Sequence, residues 1–83
     1  MNESAWDAFA QLCEPKFNEC EFKNELLSQC GEDQKLAAVI YYQTQSNALK
    51  WMNKSIPALG NKTPSKSILS QPKKLKSILM SMA

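Results

Sequence analysis

Helix start and stop signals divide this chain into short amphipathic segments, and that punctuation leaves a bundle of short helices as the architecture it can build. Ser4 with Asp7 three residues later forms a variant capping box, and Trp6, Phe9, Leu12 and Cys13 recur at helical spacing up to Pro15, which predicts a first helix over 4–14. Asn18 with Glu21 repeats the start signal, Phe22, Leu26, Leu27 and Cys30 make an apolar stripe, and Gly31 is placed as a left-handed cap, predicting a second helix over 18–30. The dense run Leu36, Ala37, Val39, Ile40 and Tyr41 reads as a buried third helix over 33–43, because alanines and flanking caps favour helix over strand.

Ser46 caps a short fourth helix with Ala48, Leu49, Trp51 and Met52, ending near Asn53. Pro57 and Gly60 make 54–62 a loop, yet Ile56, Ala58 and Leu59 are apolar, so this loop is expected to pack on the core. Thr63 followed by Pro64 starts a helix through Leu69, and Ser70 with Pro72 starts the last one, whose Leu75, Ile78, Leu79 and Met82 form one stripe. The expected fold is all-α, one compact domain of five or six short helices, with the acidic segment 1–45 packed on 46–83. A chain of 83 residues has room for one core, and that core supplies only about 3–5 kcal/mol, so a partner or a second copy is a natural supplement.

The charges are unevenly placed. Residues 1–40 hold all eight acids and three lysines, net −5, whereas residues 41–83 hold seven lysines and no acid, net +7. Two readings follow: halves that attract each other in the fold, or a basic half that meets an acidic protein or nucleic acid. There is no histidine, the usual general base and commonest metal ligand, and no arginine, the bidentate reader of phosphate and guanine. The acidic first 45 residues would repel phosphate where a helix-turn-helix could fit, so nucleic acid is a secondary expectation.

Cys13, Cys20 and Cys30 are odd in number and lack metal spacing, and the opening MNESAWD is acidic rather than a basic signal region, so the expected location is the cytoplasm. Cys13 and Cys30 lie four residues after Phe9 and Leu26, on apolar faces where a free thiol acts as a small hydrophobe. The longest apolar run, 36–42, is far short of the roughly 20 residues of a membrane span. The carboxylates Glu21 and Glu25 are one turn apart but read as solvated surface, and the abundant serines and lysines lack a histidine partner. No catalytic, cofactor-binding or metal-binding residue is expected, and an enzyme is not.

One stretch carries a resemblance. Residues 48–69 read ALKWMNKSIPALGNKTPSKSIL, with Ala48, Trp51, Asn53, Pro57, Ala58, Leu59, Gly60, Thr63, Pro64 and Leu69 in register. This is similar to the toxin-binding domain shared by the Xre, MbcA and ParS antitoxins of bacterial toxin–antitoxin pairs, whose signature runs approximately A-x-x-W-L-N-x-x-x-P-A-L-G-G-x-T-P with leucines following. Met52 stands for leucine, Asn61 for the second glycine, and Ser70-Gln71-Pro72 for a glycine-containing turn. The usual helix-turn-helix ahead of the domain is not matched by the acidic 45 residues here.

The resemblance implies a protein that binds and neutralises a toxin of the RES type, an enzyme that consumes NAD, with no cofactor of its own. Trp51 is expected to anchor the helical core, with the IPALG loop folded over it, and Asn53, Pro57, Leu59, Gly60, Thr63 and Pro64 to be structural. Neutralisation is expected through the basic C-terminal helix, and the partner-binding candidates are Lys62, Lys66, Lys73, Lys76, Met80 and Met82; exposure of Met80 would mark a binding face. The rival expectations are a small regulatory or nucleic-acid-associated helical protein, and a phage or immunity-type inhibitor of another enzyme. A homodimer is compatible with each, and a membrane with none.

Overall fold

α1 (Glu3–Phe17) places Trp6, Ala10, Cys13 and Phe17 on one stripe, and all four are buried. In the computed structural model, which describes residues 3–81, this stripe lies against α3 (Gln34–Thr44). Around them run α2 (Lys23–Gln29), α4 (Ala48–Met52), α5 (Pro64–Ser70) and α6 (Pro72–Ser81), with single 3₁₀ turns at Gln45–Asn47 and Pro57–Leu59. The fold is all-α; among the described residues the β pairing amounts to one isolated bridge between Ile56 and Lys62.

α3 is the central element. Its consecutive residues Leu36, Ala37, Ala38, Val39 and Ile40 are all buried, as a helix enclosed on every side requires, and it touches α1, α2, α4 and α6. Asp33 caps it, its carboxylate accepting the Leu36 amide at 3.1 Å. Tyr41 on the same helix meets Phe17 and Phe22 edge-on or tilted, at 6.4 and 5.6 Å between ring centroids, and Tyr42 meets Phe9 at 5.6 Å. The radius of gyration, 11.5 Å, is what a single packed unit of this length gives, about 12 Å.

Several expected boundaries move, each for a tertiary reason. Pro15 does not end α1: it sits inside the helix on an exposed face, and burial of Phe17 holds the final turn in place. Ser4 falls within α1 rather than opening it, and Asp7 is paired with Lys35 at 3.1 Å. Asn18 and Glu21 do not start α2. The Asn18 carboxamide oxygen accepts from the Lys23 ammonium at 2.8 Å, Cys20 turns inward, and the helix begins at Lys23. Glu21 and Glu25 therefore share no helix face. Ser46 lies inside the 3₁₀ turn and caps nothing.

Other signals hold. α2 ends as expected, with Gly31 at φ +65° and the Glu32 amide reaching back to the Leu27 carbonyl at 2.8 Å. Thr63 caps α5, accepting the Lys66 amide at 3.3 Å, and both α5 and α6 open on proline. The loop ahead of α5 packs through Leu59, which is fully buried, and through Ile56, half-buried against the core, while Pro57 and Ala58 face solvent. Gly60 and Asn61 turn it back through φ +69° and +63°, and the Ile56 amide closes it on the Lys62 carbonyl at 3.0 Å. Gln71 ties it to the last two helices, donating from Nε2 to the Leu59 carbonyl at 3.2 Å.

Trp51 is not the anchor of the core. It is half-buried, and the fully enclosed tryptophan is Trp6, covered by the Lys76 ammonium 5.4 Å from its ring. Gln45 joins α3 to the next turn at φ 54°, ψ −127°, a region that suits glycine. Gln45→Gly is accordingly expected to raise stability by about 1 kcal/mol, read as a higher urea midpoint with an unchanged slope.

Candidate protein-binding surface

α5 is oriented by its buried side. Pro64 and Ser67 point into the protein, and the Ser67 hydroxyl, fully buried, donates to the Thr63 carbonyl at 3.0 Å. A helix fixed on that side turns the positions between outward. Lys66 and Leu69 are exposed, Leu69 at 92%, more than any other large apolar side chain described. α6 leaves the same corner through Pro72 with Lys73 and Lys74 exposed, while Leu75 and Leu79 go into the core. Lys62, just before α5, is exposed as well. The corner between α5 and α6 is thus one leucine among lysines, in a half-chain without an acid.

These lysines are not neutralised from within. Among the described residues the single ion pair is Lys35–Asp7, and both partners lie in the acidic half. Attraction between the two halves through direct ion pairs, one of the expected readings of the charge split, is therefore not how the fold is held.

The expected binding residues divide. Lys62, Lys66 and Lys73 are exposed; Lys76 is drawn down over Trp6; Met80 is half-buried against the core, so it marks no open face; Met82 lies outside the described residues. Of the expected structural positions, Asn53 ends α4 and donates from Nδ2 to the Leu49 carbonyl at 2.9 Å, Gly60 takes the left-handed turn, and Thr63 and Pro64 start α5. Leu69 and Lys74 were not among the expected binding residues. The sequence held no signal for Leu69: it lies two residues, roughly 200° around the helix, beyond Ser67, and it is the packing of α5 that turns Ser67 inward.

The three thiols are unpaired and buried. Burial pushes Cys13 from its ordinary 9.0 up to about 11. Burial, helped by the Asp33 carboxylate, pushes Cys30 up to about 12, and burial raises Cys20 as well. They are therefore protonated at neutral pH, which removes the thiolate that nucleophilic chemistry needs. An acid whose folded pKa lies above its unfolded value keeps its proton longer when folded. Stability is therefore full below about pH 9 and falls as pH rises toward 11 and 12. Urea midpoints at pH 7.5 and 10.5 are expected to show the decrease, and Cys13→Ser with Cys30→Ala to flatten the slope. No group of three or more potential metal ligands is found among the described residues, and no helix among them is long and apolar enough to cross a membrane.

Comparison with models of known protein families, with curated proteins and with solved structures gave no match to this chain.

Proposed function

We propose that this chain is a non-enzymatic protein-binding module, antitoxin- or inhibitor-like, that neutralises a partner protein through its basic C-terminal half. The observation that carries the reading is the corner between α5 and α6, where Leu69 stands 92% exposed among Lys62, Lys66, Lys73 and Lys74, none of them paired to an acid among the described residues. A leucine in water amid unneutralised lysines fits a partner with an apolar depression rimmed by carboxylates. The leucine supplies buried area at the centre of the contact, and the charges steer the encounter. The sequence resemblance over 48–69 supports the choice of a toxin as partner, with a RES-type NAD-consuming enzyme as the first candidate. Three unpaired buried thiols suit a reducing compartment such as the cytoplasm.

The test is co-expression with the protein encoded beside this chain. The expected result is growth arrest by that protein alone, relief when this chain is present, and a complex that co-purifies. A neighbour that is harmless alone, or one that this chain neither binds nor relieves, overturns the antitoxin reading.

A further inference from the structure

We infer that the groove where α3 gives way to α4 is a binding site for a nucleoside phosphate, taken either as a free nucleotide or as one unit of a single strand. It stands apart from the α5–α6 corner and does not depend on the partner reading. The groove is open, has a volume of about 460 Å³, and is lined by Gln43, Thr44, Asn47, Lys50, Trp51 and Lys54. That size lies within the range of small-ligand pockets, about 300–1,000 Å³. No acidic side chain is among the lining residues, and no Asp or Glu follows Asp33 in the sequence.

The lining groups are uncommitted in a way that suits one ligand. Trp6 has a lysine over its ring, whereas Trp51 makes no ring or cation contact among the described residues. Among the described residues Lys50 and Lys54 enter no ion pair, and the Asn47 carboxamide makes no hydrogen bond. An indole, two ammonium groups and a free amide around one hollow supply a stacking surface for a flat heterocycle, cations for its phosphate, and a hydrogen-bonding group for the ring edge.

The carboxyl end of α3 borders the groove, and bare carbonyls there would repel an anion. Three carbonyls at that end are occupied: that of Ile40 accepts from Thr44 Oγ1 at 2.6 Å, that of Tyr41 from the Gln45 amide, and that of Tyr42 from Gln45 Nε2 at 3.4 Å. Gln43 is turned to the Leu79 carbonyl, 3.0 Å from its Nε2, so it and Thr44 form the walls while Asn47, Lys50, Trp51 and Lys54 meet the ligand.

The purified full chain is titrated with AMP, with inorganic phosphate and with a twelve-nucleotide polyadenylate, following the indole N–H signals by NMR. The expected result is movement of the Trp51 signal and not that of Trp6, with phosphate alone binding far more weakly than AMP. Lys50→Ala with Lys54→Ala, both exposed positions, is expected to weaken binding at least tenfold with the circular dichroism spectrum unchanged. Trp51→Leu should weaken it roughly five- to hundredfold, the worth of one stacked base. Equal affinity for AMP and the strand identifies a free nucleotide as the source. A strand that binds more than tenfold tighter, with affinity falling steeply with salt, identifies single-stranded nucleic acid. The site is overturned if neither AMP nor the strand moves the Trp51 signal, if phosphate binds as well as AMP, or if binding survives loss of both lysines.

Discussion

Trp6→Ala is expected to leave the chain mostly unfolded at 25 °C. The side chain is 1% exposed, at the start of the α1 stripe that carries Ala10, Cys13 and Phe17 against α3, and it is roofed by the Lys76 ammonium. Truncating a buried tryptophan costs about 3–5 kcal/mol, as transfer free energy plus the cavity left behind. A domain this small has a total of about 3–5 kcal/mol to lose. Loss of helical ellipticity without a cooperative thermal transition would be the sign. Trp51→Leu, at a half-buried position, is expected to cost far less and to keep a cooperative transition. A Trp6→Ala variant as stable as the parent would mean that α1 does not build the core.

The second large effect is on binding. Leu69→Asp introduces a charge where the parent offers an exposed leucine, and Lys66→Glu with Lys73→Glu reverses the sign around it; all three positions face solvent. Surface substitutions of this kind change stability by about 0.5 kcal/mol or less. A central anchor in a protein interface is worth about 2–4 kcal/mol, so affinity for the partner is expected to fall about 30- to 1,000-fold, while the melting curve stays in place. Lys76→Glu distinguishes a surface role from a structural one: its ammonium covers Trp6, so it should lower stability as well as binding.

Local chemistry was legible in the sequence wherever it was self-sufficient. Thr63 and Pro64 start a helix through their own hydroxyl and ring, Asp33 caps α3 with its own carboxylate, and Gly31 ends α2 with its own φ. The sequence misled wherever a distant contact outweighed a neighbour. Pro15 reads as a stop, but the buried ring of Phe17 keeps the helix going past it. Asn18 reads as a cap, but its side chain answers Lys23, five residues on.

The two tryptophans show the same limit. Both sit at helical spacing with apolar neighbours, and only the packing of α3 decides that Trp6 is enclosed and Trp51 is left at a groove. For the candidate surface, charge alone pointed to Lys62, Lys66 and Lys73, which are exposed, but also to Lys76, which covers Trp6, and it passed over Lys74. Leu69 was not readable, since an Ile-Leu pair in a short helix looks like core until the buried Pro64 and Ser67 fix which way α5 faces. Met80 failed for the opposite reason: lying off the stripe of Leu75 and Leu79, it still packs against the core.

The most direct test of a partner docked at the corner between α5 and α6 is the affinity of the purified chain for the protein encoded beside it, measured by titration calorimetry for the parent and for Leu69→Asp. A tight complex for the parent that weakens with salt, and a loss of at least 30-fold for Leu69→Asp with an unchanged melting temperature, is the expected result. Equal affinity for the two chains, or a complex whose affinity ignores both Leu69 and salt, would contradict it.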